Sequence, residues 1–135
     1  MRIILTSVFV DNQDKALKFY IDKLGFIKKT EVTAGQYRWL TVVSPEDPNG
    51  VELLLDSENP AARTYKKAIY SEGIPAALFG VDNVEKEYER LKSLGVTFTM
   101  EPTNTGPSTI AVFDDTCGNL IQIQKLHRSN PPKTM

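Results

Sequence analysis

One cysteine and one histidine stand in 135 residues, and each scarcity removes a class of protein. A lone thiol, Cys117, forms no internal disulfide and no cysteine-rich metal site. It sits in a tight turn with no cationic neighbour in sequence to activate it, and reads as an incidental turn residue. The lone histidine, His127, falls beyond every predicted strand and reads as a surface residue. No apolar run approaches the roughly 18 residues that a membrane span needs. The apolar opening, MRIILTSVFV, is short, lacks a small-residue cleavage site and runs straight into Asp11-Asn12, so it reads as a first strand and not as a signal peptide. A net charge of −1 provides no basic face for nucleic acid or an anionic membrane. The expectation is a cytoplasmic protein without nucleic-acid or membrane partners. Positions 128–135, with two adjacent prolines and almost no apolar content, read as a frayed tail.

What the chain does have is an internal repeat. Val10-Asp11-Asn12 recurs as Val81-Asp82-Asn83, each at the end of an apolar run. A helical pattern follows each copy, over 15–24 and 84–94, and each stops at a glycine, Gly25 and Gly95. The two Asn residues stand 71 apart and the two Gly residues 70 apart. Three strand candidates follow each helix: 26–32, 37–43 and 51–55, then 96–100, 109–113 and 120–124. Ala34-Gly35, Pro45 to Gly50, Pro102 to Pro107 and Asp114 to Asn119 supply the turns between them. Each half therefore reads strand–helix–strand–strand–strand. Between the halves, Asn59-Pro60 opens a connecting helix over 61–70 that Glu72-Gly73 ends. Its residues Ala61, Tyr65, Ala68 and Ile69 form an apolar stripe. The organisation is one domain, 1–127: module one 1–58, connecting helix 59–73 and module two 74–127, followed by the tail 128–135.

Strand alternation divides each strand into two faces. Uniformly apolar sets belong against the helices, and the mixed sets line a concave face. Leu5, Ser7 and Phe9 go to the concave face, as do Glu52, Leu54 and Asp56. In the second half Ala76 and Leu78 join Gln122 there. Tyr37, Trp39 and Thr41 are assigned to it by the same logic, with Thr109, Ala111 and Phe113 as their counterparts. Glu52 reads either as a residue of this face or as a solvated side chain on an edge strand. Trp39 reads either as a ligand contact or as packing.

Residues 111–122, with Phe113, Asp114, Gly118-Asn119 and the strand after them, together with Phe19-Tyr20 and Leu24-Gly25-Phe26, resemble the vicinal oxygen chelate superfamily of glyoxalase I, bleomycin resistance proteins and extradiol dioxygenases. The resemblance implies an α+β fold: two βαβββ modules forming a cupped, mostly antiparallel eight-stranded sheet with helices on the outer face. Metal-dependent members carry ligands on the first, fourth, fifth and eighth strands. By the local motifs those places are Leu5, Glu52, Ala76 and Gln122, and Leu5 and Ala76 have no donor atom. The resemblance thus implies a metal-less member with no cofactor, and drug-sequestering relatives imply a small-molecule ligand such as an antibiotic or aromatic metabolite. It also implies a homodimer, with the cup completed within one chain or across the interface. Two other functions stay open at this level: a divergent lyase or isomerase of the glyoxalase type using Glu52 as base, and a protein-interaction or regulatory domain.

Overall fold

Three asparagines start the three helices. The side chains of Asn12, Asn59 and Asn83 each accept a hydrogen bond from the backbone N–H three residues on, at 2.9, 2.8 and 3.0 Å, which satisfies one of the orphan donors of a first turn. The helices are α1 (Gln13–Asp22), α2 (Pro60–Ser71) and α3 (Val84–Ser93). Gly25 and Gly95 follow α1 and α3 at φ 87° and 89°, a left-handed conformation that costs a residue with a Cβ and lets the chain leave the helix at once. The computed structural model describes residues 1–126; His127 and the expected tail lie outside the described residues.

The strands are β1 (Leu5–Val10), β2 (Ile27–Ala34), β3 (Tyr37–Val43), β4 (Glu52–Ser57), β5 (Ala77–Gly80), β6 (Phe98–Asn104), β7 (Ser108–Asp114) and β8 (Leu120–Leu126). They form two four-stranded sheets with the same topology, β1-β4-β3-β2 and β5-β8-β7-β6. In each, the first strand runs parallel to the last and the remaining pairings are antiparallel. The chain is α+β, built of two βαβββ modules, and within one chain the eight strands are divided equally between two sheets.

One core serves both modules. Val8, Val10, Leu53 and Leu55 of the first sheet, Ala111, Phe113, Ile121 and Ile123 of the second, and Ala16, Phe19, Tyr20, Val84 and Leu91 of the helices belong to a single buried cluster. Rings carry it across the module boundary: Phe19 lies 6.2 Å from Phe113, and Phe26 meets Phe79 edge-on at 5.2 Å. The helix side of each sheet looks onto this common core, so the other side of each looks away from it.

A buried polar latch fixes the same boundary. Asp115 accepts four hydrogen bonds: from the Tyr20 hydroxyl at 2.7 Å, the Asn119 amide at 2.9 Å, and the backbone N–H groups of Cys117 and Asn119. Asn119 also donates to the carbonyl of Phe9 at 2.8 Å. The closing hairpin of module two is thereby tied to β1 and α1 of module one. Burial pushes the Asp115 carboxyl above the usual carboxylate range, and these donors work against that rise. The same burial, with the Asp115 charge beside it, raises the Tyr20 phenol well above its ordinary value.

The connecting helix corrects its expected stripe. Ala62 and Lys66 turn inward, and Tyr65 is exposed. The inward lysine is not left uncompensated: its ammonium donates to Glu58 at 2.9 Å and to the Cys117 carbonyl at 2.6 Å. An i, i+4 pair led by a charged side chain carries no apolar signature, so periodicity does not reveal the face that packs within the chain, and the expected stripe is left to face outward.

Candidate ligand-binding site

Residues opposed across a sheet share a face, so the strand register shows which side chains are brought together. Parallel pairing sets Leu5 beside Glu52, Ser7 beside Leu54 and Phe9 beside Asp56. Thr41 stands opposite Leu54, Trp39 opposite Val32 and Tyr37 opposite Ala34. The Tyr37 hydroxyl donates to Asp56 at 3.0 Å across the same surface. Leu54 and Val43 are buried yet belong to no part of the helix-side core. These residues form the outward face of the first sheet. On the second sheet Leu78, Gln122, Val112 and Met100 are aligned in register, and Ala76 precedes them, its N–H donating to the Leu120 carbonyl. The Gln122 amide donates to Gln124.

Phe113 is not part of this face. It is fully buried, packed between Phe19 and Phe98 on the helix side, with Ala111 beside it in the core. Ile110 and Val112 take the outward positions of β7, as their pairing with Gln124 and Gln122 requires.

Glu52 is half-buried, and its surroundings are the most specific feature of the face. Thr41 Oγ1 donates to its Oε1 at 2.6 Å, and Thr30 Oγ1 donates to the same oxygen at 3.2 Å. The backbone N–H of Thr30 donates to Thr41 Oγ1, completing the chain of bonds. A register shift between Lys28 and Thr30 aims Thr30 at this spot. No cation among the described residues pairs with Glu52. Thr30 escaped sequence reasoning. Its link to Glu52 depends on a bulge and on diagonal cross-strand contact, neither of which alternation encodes.

The donor set does not fit a divalent ion. Leu5 and Ala76 offer no ligand atom, one oxygen of Glu52 is committed to two threonines, and Gln122 is a neutral amide. Among the described residues no three His, Cys, Asp or Glu side chains stand together as a metal site would need.

A cavity of about 380 Å³ reaches Met100 and Val112 on the outward face of the second sheet. A cleft of about 740 Å³ runs beside α2 and is lined by Lys66, Glu58, Arg63, Tyr70, Asp114 and Cys117, among others. Several of its charges are paired within it: Lys66 and Arg63 hold Glu58, whose carboxyl they keep below its usual range, Lys66 foremost, and Tyr70 donates to Asp114. The outward faces themselves stay open, with Val32 and Leu78 more than half exposed.

Two βαβββ modules sharing a helix-side core and presenting open, mixed faces define a paired-module α+β protein. The chain belongs to the Glyoxalase/Bleomycin resistance protein/Dioxygenase superfamily, whose family model matches residues 2–123. It is 63% identical over 124 residues to the Bacillus subtilis protein YurT, covering 91% of this chain and 98% of that one. Among solved structures it is similar to UcmS2, with a TM-score of 0.80 at 33% identity, covering 92% of this chain and 97% of the other. It is also similar to TnmS3, an antibiotic binding protein from Streptomyces sp. CB03234, with a TM-score of 0.75 at 27% identity and coverage of 93% and 96%. None of the described helices is long and apolar enough to cross a membrane.

Proposed function

We propose that this protein binds a small molecule, an antibiotic or aromatic metabolite, on the face that carries Trp39 and Glu52, without a metal ion. The observation that carries the reading is a half-buried carboxylate, held by two hydroxyls and unpaired with any cation among the described residues, on a face that also carries Phe9, Trp39, Tyr37, Leu5, Leu54 and a second carboxylate, Asp56. Apolar walls with a few placed polar groups are what small-molecule sites consist of. The likeness to an antibiotic-binding protein supports the ligand class.

The working unit is a homodimer in the cytoplasm, with a second copy covering the open face. β1 and β5 are edge strands whose outer sides are unpaired among the described residues. Exposed Ile3, Ile4 and Ile74 lie just ahead of them. Unpaired edges flanked by exposed apolar side chains are surfaces that folded proteins cover.

Trp39 is the only tryptophan, so its fluorescence reports this face directly. Titration with planar aromatic antibiotics should quench it saturably, and the same compounds should raise the melting temperature. Sedimentation should give a dimer. Absence of stabilisation by any compound, with melting curves of Trp39→Ala in their presence matching wild type, removes the ligand reading. Tight stoichiometric binding of a divalent ion in calorimetry, with turnover of a thiohemiacetal, overturns the metal-free reading.

A further inference from the structure

We infer that Thr41 and Thr30 are positioning residues that orient Glu52 so that its second oxygen anchors a protonated amine on the ligand; this rests on the reading of the face as a binding site. Both threonine hydroxyls donate to Oε1, and no donor among the described residues reaches Oε2. No buried side-chain polar atom in the described structure lacks a partner, so the unbonded Oε2 keeps contact with solvent. The two oxygens are thus differentiated: one fixes the carboxylate, the other is available.

Thr41 is fully buried, and a buried hydroxyl is costly unless it is bonded. It accepts from the Thr30 N–H and donates to Glu52, which uses its hydrogen and one acceptor site.

An available carboxylate oxygen on a face that also carries aromatic rings selects for charge. A cation gains a charge-assisted hydrogen bond and stacking on the ring of Trp39, whereas an anion of the same shape meets repulsion. The ligand class is therefore a planar aromatic body bearing a protonated amine or amidine.

The test is Trp39 fluorescence titration of the full-length protein with two planar probes, 9-aminoacridinium and anthraquinone-2-sulfonate, at pH 7.5. Wild type should bind the cation at least tenfold more tightly than the anion. Glu52→Gln should abolish that ratio. Thr41→Val should lower cation affinity about three- to tenfold and leave the anion unaffected, and Thr41→Ser, which restores the hydroxyl, should recover it. A purely structural role for Thr41 would weaken both probes together, and melting curves of each variant report any loss of folding. Equal affinity for both probes in wild type, unchanged in Glu52→Gln and Thr41→Val, overturns the inference and leaves the binding reading standing. No saturable quenching by either probe overturns both.

Discussion

Replacing Tyr20 with Phe keeps the ring in the core and deletes one atom of the latch between the modules. The phenol stacks on Phe26 and meets Phe19 edge-on, contacts that phenylalanine retains. What is lost is the 2.7 Å bond to Asp115 Oδ2. Asp115 is itself fully buried and has four donors aimed at its two oxygens, an arrangement that suits the ionised carboxylate, an acceptor only. Deleting a donor to a buried charge costs about 1.5–3 kcal/mol. At roughly 3 °C per kcal/mol for a domain of this size, the melting temperature should fall by roughly 5–9 °C.

The penalty should depend on pH, with a defined sign. The folded-state pKa of Asp115 lies above its ordinary value because of burial, so the stability it contributes is present in acid and is lost as pH rises through the folded value. The Tyr20 bond opposes that rise. Without it the folded pKa climbs further, and the variant loses more than wild type over the same increase in pH. The gap between them should be full at neutral pH and close towards the ordinary carboxylate range near pH 4. Urea denaturation at pH 7 and pH 4, at one fixed protein concentration, measures both numbers. A loss below about 0.5 kcal/mol at pH 7, typical of an inconsequential surface change, or a gap that widens in acid, refutes the latch.

Lys66→Met should cost about 1–3 kcal/mol by stranding the Cys117 carbonyl and weakening the hold on Glu58. Because Lys66 is the foremost cause of the lowered Glu58 pKa, wild-type stability from this pair is present above the unfolded carboxylate pKa and is lost as pH falls through the folded value; the variant's urea midpoint should fall less steeply in acid. Gly118→Ala should destabilise by at least about 1–2 kcal/mol, the cost of a Cβ in the left-handed region, because φ is 93° there and the added Cβ would come 2.8 Å from Lys66 Nζ; chemical denaturation checks it. Cys117 is fully buried and its thiol is pushed up to about 12, chiefly by burial, so the native protein should not react with an aromatic disulfide reagent at pH 8 and should release one equivalent when denatured.

The repeat was legible because its marks are local. Asn caps, left-handed glycines and alternating strands announce themselves within a few residues, and all eight strands and three helices lie where those marks place them to within four residues. The connecting helix shows the limit. Its inward face is read by partners distant in sequence, Glu58 and the Cys117 carbonyl, and nothing within α2 indicates that Lys66 has them.

The same limit separates the residues brought together on the candidate face from those that were misassigned. Counterpart positions in the two modules are fixed only to within one residue, 71 apart at the Asn and 70 at the Gly, and side chains alternate with a period of two. A slip of one residue moves a side chain from one face to the other. β4 and β8 were protected from this because each carries a polar residue within an apolar run, Glu52 and Gln122, which marks the outward face directly. β7 reads Ser-Thr-Ile-Ala-Val-Phe-Asp, apolar on both faces at its centre, so alternation leaves its phase undetermined and Phe113 could be placed on either side. Pairing decides the phase: Phe113 opposite Ile121 and Val112 opposite Gln122 put the ring in the core. That pairing depends on the turn that joins β7 to β8, and the register shift in β2 brings Thr30 to Glu52. The chemistry of the face, an acid among aromatic rings, is therefore written in single strands, whereas the orientation of that acid is written only in how the strands are paired.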